Sequence, residues 1–145
     1  LDLDDFIEIQ EKISISKIFK DHGEIYFRNK ESLYLNEVVT AKKNTVISLG
    51  GGTPCFGNNL DTILQNKNVE SVYLQTSLDE LTNRLFKEKS KRPLISHTKT
   101  KEELKDFVRK HLFERAFYYN QANYKVVTDA KNADLITEEI IGLLF

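Results

Sequence analysis

The sequence predicts an α/β fold in which a parallel sheet is covered by helices on both faces, in three layers. Short apolar segments alternate with helical stretches of ten or more residues, a pattern typical of parallel sheets. One apolar segment, Thr45 to Cys55 (TVISLGGGTPC), runs from β-branched and aliphatic residues into three consecutive glycines. It predicts a buried strand that presents bare backbone to a ligand, with a flexible hinge or a sharp strand-to-loop turn as the alternative.

The other elements follow from hydrophobic periodicity and from the residues that start and stop helices. Leu1 to Asp4 alternates apolar and acidic residues, as a strand end does; the alternative is a helix capped by Asp4 or Asp5. In the first half of the chain we predict a helical piece over Ser14 to Asp21 interrupted at His22-Gly23, a helix from Glu24 to about Val39, and a short helix near Leu60 to Gln65. Two strands are predicted further on, at Glu70 to Leu74 and at Tyr124 to Thr128. A capping box at Ser77 starts a helix that runs to about Lys87, a second at Thr100 starts a helix that runs to about Asn120, and a closing helix covers Ala133 to Leu144.

The composition excludes several classes of protein. At 145 residues the chain has the size of one domain, and its net charge of -1 lacks the basic excess of a nucleic-acid binder. A single cysteine, Cys55, excludes an internal disulfide framework and is compatible with a reducing cytosol. No apolar run approaches the roughly 20 residues that span a bilayer. We therefore expect a soluble, intracellular domain.

Three groups of polar side chains are candidates for chemistry. Asp2 and Asp4 suit a divalent cation or a hydroxyl-bearing substrate, because ionised oxygens serve both. Arg28 and Glu31 fall on the core-facing side of the helix from Glu24, which favours an anion-holding arginine oriented by the acid over a purely structural pair. Arg115 lies near the centre of the apolar arc of the long helix and needs an anionic partner or a cleft.

The segment from Lys87 to Thr100 is the least core-like part of the chain. It is basic and polar and is broken by Pro93. Such a segment is either a solvated connection or a mobile lid that carries Arg92 onto an anionic ligand.

Taken in order, these motifs resemble those of the shikimate kinases, a P-loop family similar to the nucleoside monophosphate kinases. No single motif is specific, but the order and approximate spacing hold along the chain. The matching stretches are Asp2-Leu3-Asp4 with Ile7-Glu8, Ser14-Ile15 to Ile18-Phe19, Gly23-Glu24 with Phe27-Arg28 and Glu31, Ser48 to Gly52, Arg92-Pro93-Leu94, and Arg115 with Tyr119.

The resemblance implies ATP-dependent phosphorylation of shikimate to shikimate 3-phosphate, a step of aromatic amino acid biosynthesis. It implies that Asp2 helps to hold Mg²⁺ through water, that Asp4 binds the shikimate hydroxyls and acts in catalysis, and that Arg92 closes over the ATP phosphates. The shikimate carboxylate would be clamped by Arg28 and Arg115, with Glu31 orienting one of them. The remaining pocket residues implied are Phe19, Phe27, Gly50, Gly51 and Gly52.

One element of the family pattern is absent from this sequence. The G-x-x-x-x-G-K-[ST] loop that cradles the ATP phosphates lies, in the family, just before the position of Leu1. With no methionine in the chain, we expect residues 1–145 to be an incomplete kinase domain that lacks about one strand-helix unit, roughly 30 residues. We expect this chain, expressed alone, to be inactive and poorly folded; ATP-dependent phosphorylation of shikimate by it would contradict that expectation.

Two other functions remain open at this point. One is a kinase for another small hydroxy acid such as gluconate, because the two arginines indicate a carboxylate without naming its ring. The other is a non-catalytic paralogue that binds only a ligand or partner. A phosphate-loop motif encoded upstream of Leu1 would favour the kinase. The resemblance further implies a cytoplasmic monomer that binds no membrane or nucleic acid.

Overall fold

The computed structural model describes residues 1–41, 43–88, 95 and 97–145, which form two compact units, Leu1–Glu70 and Ser71–Phe145. Their helices and strands are, in order, α1 (Leu3–Glu11), α2 (Ile15–Thr40), α3 (Asn59–Leu64), β1 (Val72–Gln75), α4 (Leu78–Lys87), α5 (Lys101–Tyr119), β2 (Tyr124–Val127) and α6 (Ala133–Leu144). A 3-10 turn at Thr53–Cys55 precedes α3. The predicted α/β fold with a parallel sheet is confirmed. The organisation as a single kinase domain stays a prediction.

The first unit is built around α1 and α2. Their apolar faces form one buried cluster with a side chain of α3, made of Leu3, Ile7, Ile18, Phe27, Leu35 and Ile63. Within α2 the backbone of Gly23 has φ 84° and ψ 174°, which breaks the helix and which a residue with a Cβ rarely adopts. The predicted interruption at His22-Gly23 is confirmed. It divides α2 into a short piece and the longer helix that carries Arg28 and Glu31.

The carboxylate of Asp2 caps the N-terminus of α1. Its Oδ1 accepts hydrogen bonds from the backbone N–H groups of Asp4 at 2.9 Å and Asp5 at 3.2 Å. Such a cap satisfies N–H groups that have no partner inside the helix. The strand end predicted over Leu1 to Asp4 is wrong beyond a single bridge at Asp2, because α1 begins at Leu3. The alternative, a helix, is present, but its cap is Asp2 and not Asp4 or Asp5, which lie within the first turn.

The strand predicted at the start of Thr45 to Cys55 is also wrong. Ser48 forms a single parallel bridge with Asp2, made by bonds from Leu3 N to Ser48 O at 3.1 Å and from Ser48 N to Leu1 O at 2.9 Å. The Val46 side chain is 88% exposed. A strand is stabilised by a ladder of such bonds, and this segment makes only the one bridge within the described chain. Its residues are β-formers, but beyond that bridge the described residues offer them no partner strand.

A carboxylate at the end of α1 ties that helix to α2. Glu11 accepts hydrogen bonds from the hydroxyls of Tyr34 at 2.5 Å and Tyr26 at 3.0 Å, and its Oε1 lies 2.9 Å from Lys30 Nζ. The bonds from Lys30 and Tyr34 hold the pKa of Glu11 below its usual value. These contacts fix the positions of the helices that carry Asp4 and Arg28.

The second unit contains the parallel sheet. β1 and β2 pair from Val72 opposite Tyr124 to Gln75 opposite Val127. Both strands lie within two residues of their predicted positions, and α6 has its predicted bounds. The described core of this unit brings together Ile95, Leu104 and Val108, with partly buried side chains from α4.

The two predicted capping boxes differ in the structure. Thr100 and Glu103 form the complete reciprocal box at the start of α5. At α4 the Ser77 hydroxyl accepts from Glu80 N, but Ser77 N donates to Asp129 Oδ2 at 3.0 Å. The Glu80 side chain instead bonds Arg84 at 2.6 Å, one turn further on. The predicted helix start is correct at both places, because the Ser and Thr hydroxyls cap in either case.

The apolar arc predicted for α5 is confirmed. Leu104 and Val108 are buried, whereas Phe113 and Phe117, which fall outside the arc, are exposed.

In the predicted lid, residues 89–94 and 96 lie outside the described residues, and Ile95 and Thr98 are buried. Among the described residues, no helix combines the length and the apolar character needed to cross a membrane.

Candidate functional site

The glycine run, Gly50–Gly52, occupies a turn in the first unit between the extended segment and the 3-10 turn. Thr53 N donates to Gly50 O at 3.0 Å, which closes the turn. The Asn59 side chain, at the start of α3, donates to Thr53 O at 2.8 Å, and both Thr53 and Asn59 are buried. The backbone that follows the glycines is therefore held on both sides.

Arg28 and Glu31 form the ion pair that the helical pattern predicted. Arg28 Nη1 donates to Glu31 Oε2 at 2.8 Å. The Glu31 side chain is 1% exposed, and that of Arg28 is 17% exposed. Glu31 Oε1 accepts from the Thr53 hydroxyl at 2.7 Å. The buried carboxylate thus has a partner on each oxygen, which offsets the cost of removing its charge from water.

The glycines lie directly against these charged groups. A Cβ added to Gly52 would stand 2.5 Å from Arg28 Nη2, closer than side-chain atoms approach. A Cβ on Gly50 would lie 3.7 Å from Glu31 Oε1 and 3.9 Å from Asp4 Oδ1. The backbone of Gly52 has φ -85° and ψ -19°, which any residue adopts, so space rather than backbone conformation requires the glycine.

Aromatic side chains lie beside the arginine. The ring centroids of Phe19 and Phe27 are 4.8 Å apart, and the Arg28 Cζ lies 5.3 Å from the centroid of the Phe27 ring. A guanidinium near an aromatic ring gains a favourable cation–π contact. The two aromatic residues predicted to wall the pocket therefore contact each other, and one of them contacts Arg28.

The half-buried Asp4, in the first turn of α1, is electrostatically coupled to this pair. Burial raises the pKa of its carboxyl above the usual value, and the carboxylates of Asp2, Glu31 and Glu8 raise it further, while Arg28 lowers it. A carboxylate with a raised pKa is a better proton acceptor than an ordinary aspartate. Five predicted site residues are thus brought together in the first unit: Asp4, Arg28, Glu31, Gly50 and Gly52.

Asp2 has a structural role beside its predicted one as a magnesium ligand. Its Oδ1 takes two backbone hydrogen bonds, and its Oδ2 accepts from the Ser48 hydroxyl at 3.2 Å. A carboxylate has about four acceptor positions, so one remains for a water molecule. The described residues contain no cluster of three or more His, Cys, Asp or Glu side chains suited to a metal ion. Magnesium, however, commonly uses one or two carboxylates and keeps several waters, so the side chain of Asp2 fits water-mediated binding.

Three predicted residues do not enter this geometry. Arg115 lies on α5 in the second unit, where its side chain is half-buried. Arg92 lies outside the described residues. Gly51 is exposed within the glycine turn. The role assigned to each stays a prediction.

Sequence reasoning missed two residues that shape the site. Asn59 holds the turn, and Thr53 holds both the turn and Glu31, yet neither has a distinctive sequence pattern. The available signal was the small β-branched residue directly after the glycines, because a buried hydroxyl there needs a hydrogen-bond partner.

Comparison with known proteins places the chain in a family. A model of that family, described as shikimate kinase, matches residues 1–144. The chain is 48% identical over 144 residues to the shikimate kinase of Flavobacterium johnsoniae, covering 99% of this chain and 83% of that protein. It is 41% identical over 145 residues to that of Flavobacterium psychrophilum, covering 100% of this chain and 83% of that protein.

Solved structures give the same result. A crystal structure of shikimate kinase from Bacteroides thetaiotaomicron matches with a TM-score of 0.84 at 34% identity, covering 99% of this chain and 80% of that one. Shikimate kinase from Acinetobacter baumannii in complex with shikimate matches with a TM-score of 0.81 at 29% identity, covering 99% and 76% of the two chains. The predicted resemblance is confirmed, and the fold is that of the P-loop kinases. The chain belongs to the shikimate kinase family.

Proposed function

We propose that the protein catalyses ATP-dependent phosphorylation of shikimate, and that the unit Leu1–Glu70 holds the acceptor. The observation that carries the proposal is the Arg28 guanidinium, which is fixed by the buried Glu31 against the glycine turn. Family membership supports the reaction, and one similar structure is a complex with shikimate.

Arg28 is suited to the acceptor carboxylate. A guanidinium has five N–H donors in a planar fork that matches two carboxylate oxygens. Within the described chain, one of these donors makes a hydrogen bond, the one to Glu31 Oε2. Its Nε also lies 3.6 Å from Oε1 of the exposed Glu24 side chain. The other donors are proposed to bind the anion, and the close approach of Gly52 to Nη2 places backbone beside them. Arg115 is proposed as the second arginine of the carboxylate clamp.

Asp4 is proposed to bind the acceptor hydroxyl. Phosphoryl transfer requires mainly positioning and neutralisation of charge, with little covalent chemistry by the protein. A carboxylate with a raised pKa can orient the hydroxyl and accept its proton as the bond to phosphorus forms. Phe19 and Phe27 are proposed as the pocket wall beside it, with Gly50 and Gly51 supplying backbone.

The nucleotide side of the reaction is proposed from the resemblance. Asp2 is proposed to hold Mg²⁺ through water, and the ion would neutralise phosphate charge on ATP. Arg92 is proposed to close over the ATP phosphates. A monomeric state and a cytoplasmic location are proposed on the same basis.

An acceptor comparison tests the function. The full-length protein is assayed with ATP and Mg²⁺ and either shikimate or gluconate, and ADP formation and the phosphorylated product are measured. Shikimate is expected to be the preferred acceptor by kcat/KM. Preference for gluconate would favour the other hydroxy-acid kinase, and ligand binding without phosphorylation would favour a non-catalytic protein.

Replacing Gly52 by alanine is expected to raise the KM for shikimate about tenfold, equivalent to about 1.4 kcal/mol of binding. The added methyl group displaces the Arg28 guanidinium, which lies 2.5 Å from the position of its Cβ, while the backbone tolerates alanine. The KM for ATP is expected to change less than about twofold, because the alteration concerns acceptor binding. Steady-state kinetics with each substrate varied in turn measure both constants.

The matched control is Gly142→Ala in α6, where an added Cβ meets nothing within 4 Å. This variant is expected to keep both KM values and to gain roughly 0.5–1 kcal/mol of stability, because alanine favours a helix over glycine. An unchanged KM for shikimate in Gly52→Ala would show that the close approach of Gly52 to Arg28 does not matter for the acceptor.

A further inference from the structure

The Thr53 hydroxyl donates a hydrogen bond to the Glu31 carboxylate, which also binds Arg28. It is the first residue of the 3-10 turn, and its side chain is 0% exposed. Its N–H donates to Gly50 O, and its carbonyl accepts from the Asn59 side chain. The backbone is therefore fixed at both ends, and the position of the hydroxyl follows from it.

The hydroxyl continues the chain of contacts to the arginine. Thr53 Oγ1 donates to Glu31 Oε1 at 2.7 Å, and Arg28 Nη1 donates to the other oxygen, Oε2, at 2.8 Å. A carboxylate rotates broadly about its terminal bond when nothing restrains it. With one oxygen held by Thr53, the plane of the Glu31 carboxylate is set. The direction of its bond to Arg28 is then set as well.

We propose that Thr53 is a positioning residue for acceptor binding, acting through Glu31 on the guanidinium of Arg28. The proposal rests on the proposed function, in which Arg28 binds the carboxylate of the acceptor. Thr53 itself touches no reacting group in this assignment. It links the glycine turn to the ion pair, so that the backbone and the guanidinium meet the ligand in one fixed geometry.

A purely stabilising role for the hydroxyl makes a different prediction. A buried hydroxyl that only satisfies Glu31 would lower the melting temperature when removed and leave substrate constants unchanged. A positioning residue instead changes the constant for the acceptor carboxylate and spares the constant for ATP. The two roles are therefore separated by binding and kinetics, not by stability.

The test compares Thr53→Val, which removes the hydroxyl and keeps the branched shape, with Thr53→Ser, which keeps the hydroxyl. Shikimate binding to the full-length protein is measured by calorimetry, and the KM values for shikimate and ATP by steady-state kinetics. Thr53→Val is expected to weaken shikimate binding roughly three- to tenfold, because a hydrogen bond to a charged group is lost. Thr53→Ser is expected to stay within about twofold of the parent, and ATP constants are expected to hold in both.

Thr82→Val is the matched control. Thr82 is a buried threonine of α4 whose hydroxyl donates to Leu78 O at 2.7 Å. Its replacement removes a buried hydroxyl that bonds the backbone of its own helix and not Glu31, so shikimate binding is expected to be unchanged. In a Glu31→Leu background, which removes both side-chain oxygens, Thr53→Val is expected to add no further loss, because its effect passes through the Glu31 carboxylate.

The outcomes separate the inference from the function on which it rests. Parent protein that binds no shikimate would overturn the proposed function. Parent protein that binds shikimate, with an unchanged dissociation constant in Thr53→Val, would overturn the role of Thr53 alone. If Thr53→Val does not fold, Thr53→Cys replaces it, since a thiol is a weaker donor; an intermediate loss supports the proposal, and no loss overturns it.

Discussion

Replacing Asp4 by asparagine is expected to lower kcat for shikimate phosphorylation by about 10²-fold or more while raising stability at neutral pH. The amide cannot accept the hydroxyl proton, and loss of a general base typically costs roughly 10²–10⁴-fold in rate. The stability of Asp4→Asn is expected to rise because the variant removes an ionised carboxylate that is half-buried near Asp2, Glu31 and Glu8. Asp4 would thus be a residue whose chemistry opposes folding.

The pH dependence of this effect has a definite sign. The pKa of Asp4 is raised in the folded protein, chiefly by burial. Between the unfolded and folded pKa values the folded state binds more protons, so stability falls as the pH rises through that interval. The gain from Asp4→Asn is therefore expected to be present at neutral pH and to vanish below the ordinary aspartate range, about pH 4. Thermal unfolding of both proteins across pH measures it.

Asp5→Asn is the control, because Asp5 is exposed in the same first turn of α1. It is expected to leave kcat within about twofold of the parent. A kcat of Asp4→Asn close to that of the parent would remove Asp4 from the chemical step, whatever its effect on stability.

Replacing Arg28 by lysine is expected to raise the KM for shikimate roughly 10- to 100-fold. Lysine keeps a positive charge beside Glu31 but has no planar fork for two carboxylate oxygens. Hydrogen bonds to charged groups contribute about 1.5–3 kcal/mol, which corresponds to this range. The KM for ATP is expected to stay within about twofold. Steady-state kinetics of the folded variant, verified by circular dichroism, provide the measurement.

The control exploits a second arginine in the same helical spacing. Arg109 pairs with Asp106 three residues away on α5, but both side chains are exposed. Arg109→Lys is expected to change neither KM, because exposed pairs contribute little and are screened by solvent. Equal increases in the KM for shikimate and for ATP in Arg28→Lys would contradict a specific role in holding the acceptor.

Much of the fold was predictable because local rules act over a few residues. The hydroxyls of Ser77 and Thr100 start α4 and α5, and Gly23 interrupts α2, as their types and spacing indicate. The same rules failed at Val46. β-branched residues predict a strand, but a ladder also needs a partner strand, and that is a long-range property.

The site was predictable where a charged residue falls on an otherwise apolar helix face. Arg28 and Glu31 were identified because charged residues on an apolar helix face need an explanation, and the structure buries Glu31 as that argument expects. Thr53 could not be identified in the same way. Its contact with Glu31 joins residues that are 22 positions apart, and no local pattern encodes such a pairing.

The charges around Asp4 have a consequence for product release. The carboxylates of Asp2, Glu8 and Glu31 raise the pKa of Asp4, and among the described residues the Arg28 guanidinium is the cation that lowers it. An acceptor with a single negative charge is only weakly repelled by these carboxylates, but transfer of a phosphoryl group adds nearly two negative charges to the acceptor. In the proposed reaction the product is then repelled where the substrate was held. Its dissociation constant is expected to exceed that of shikimate, by a margin that shrinks with added salt; the reverse order in calorimetry would contradict this.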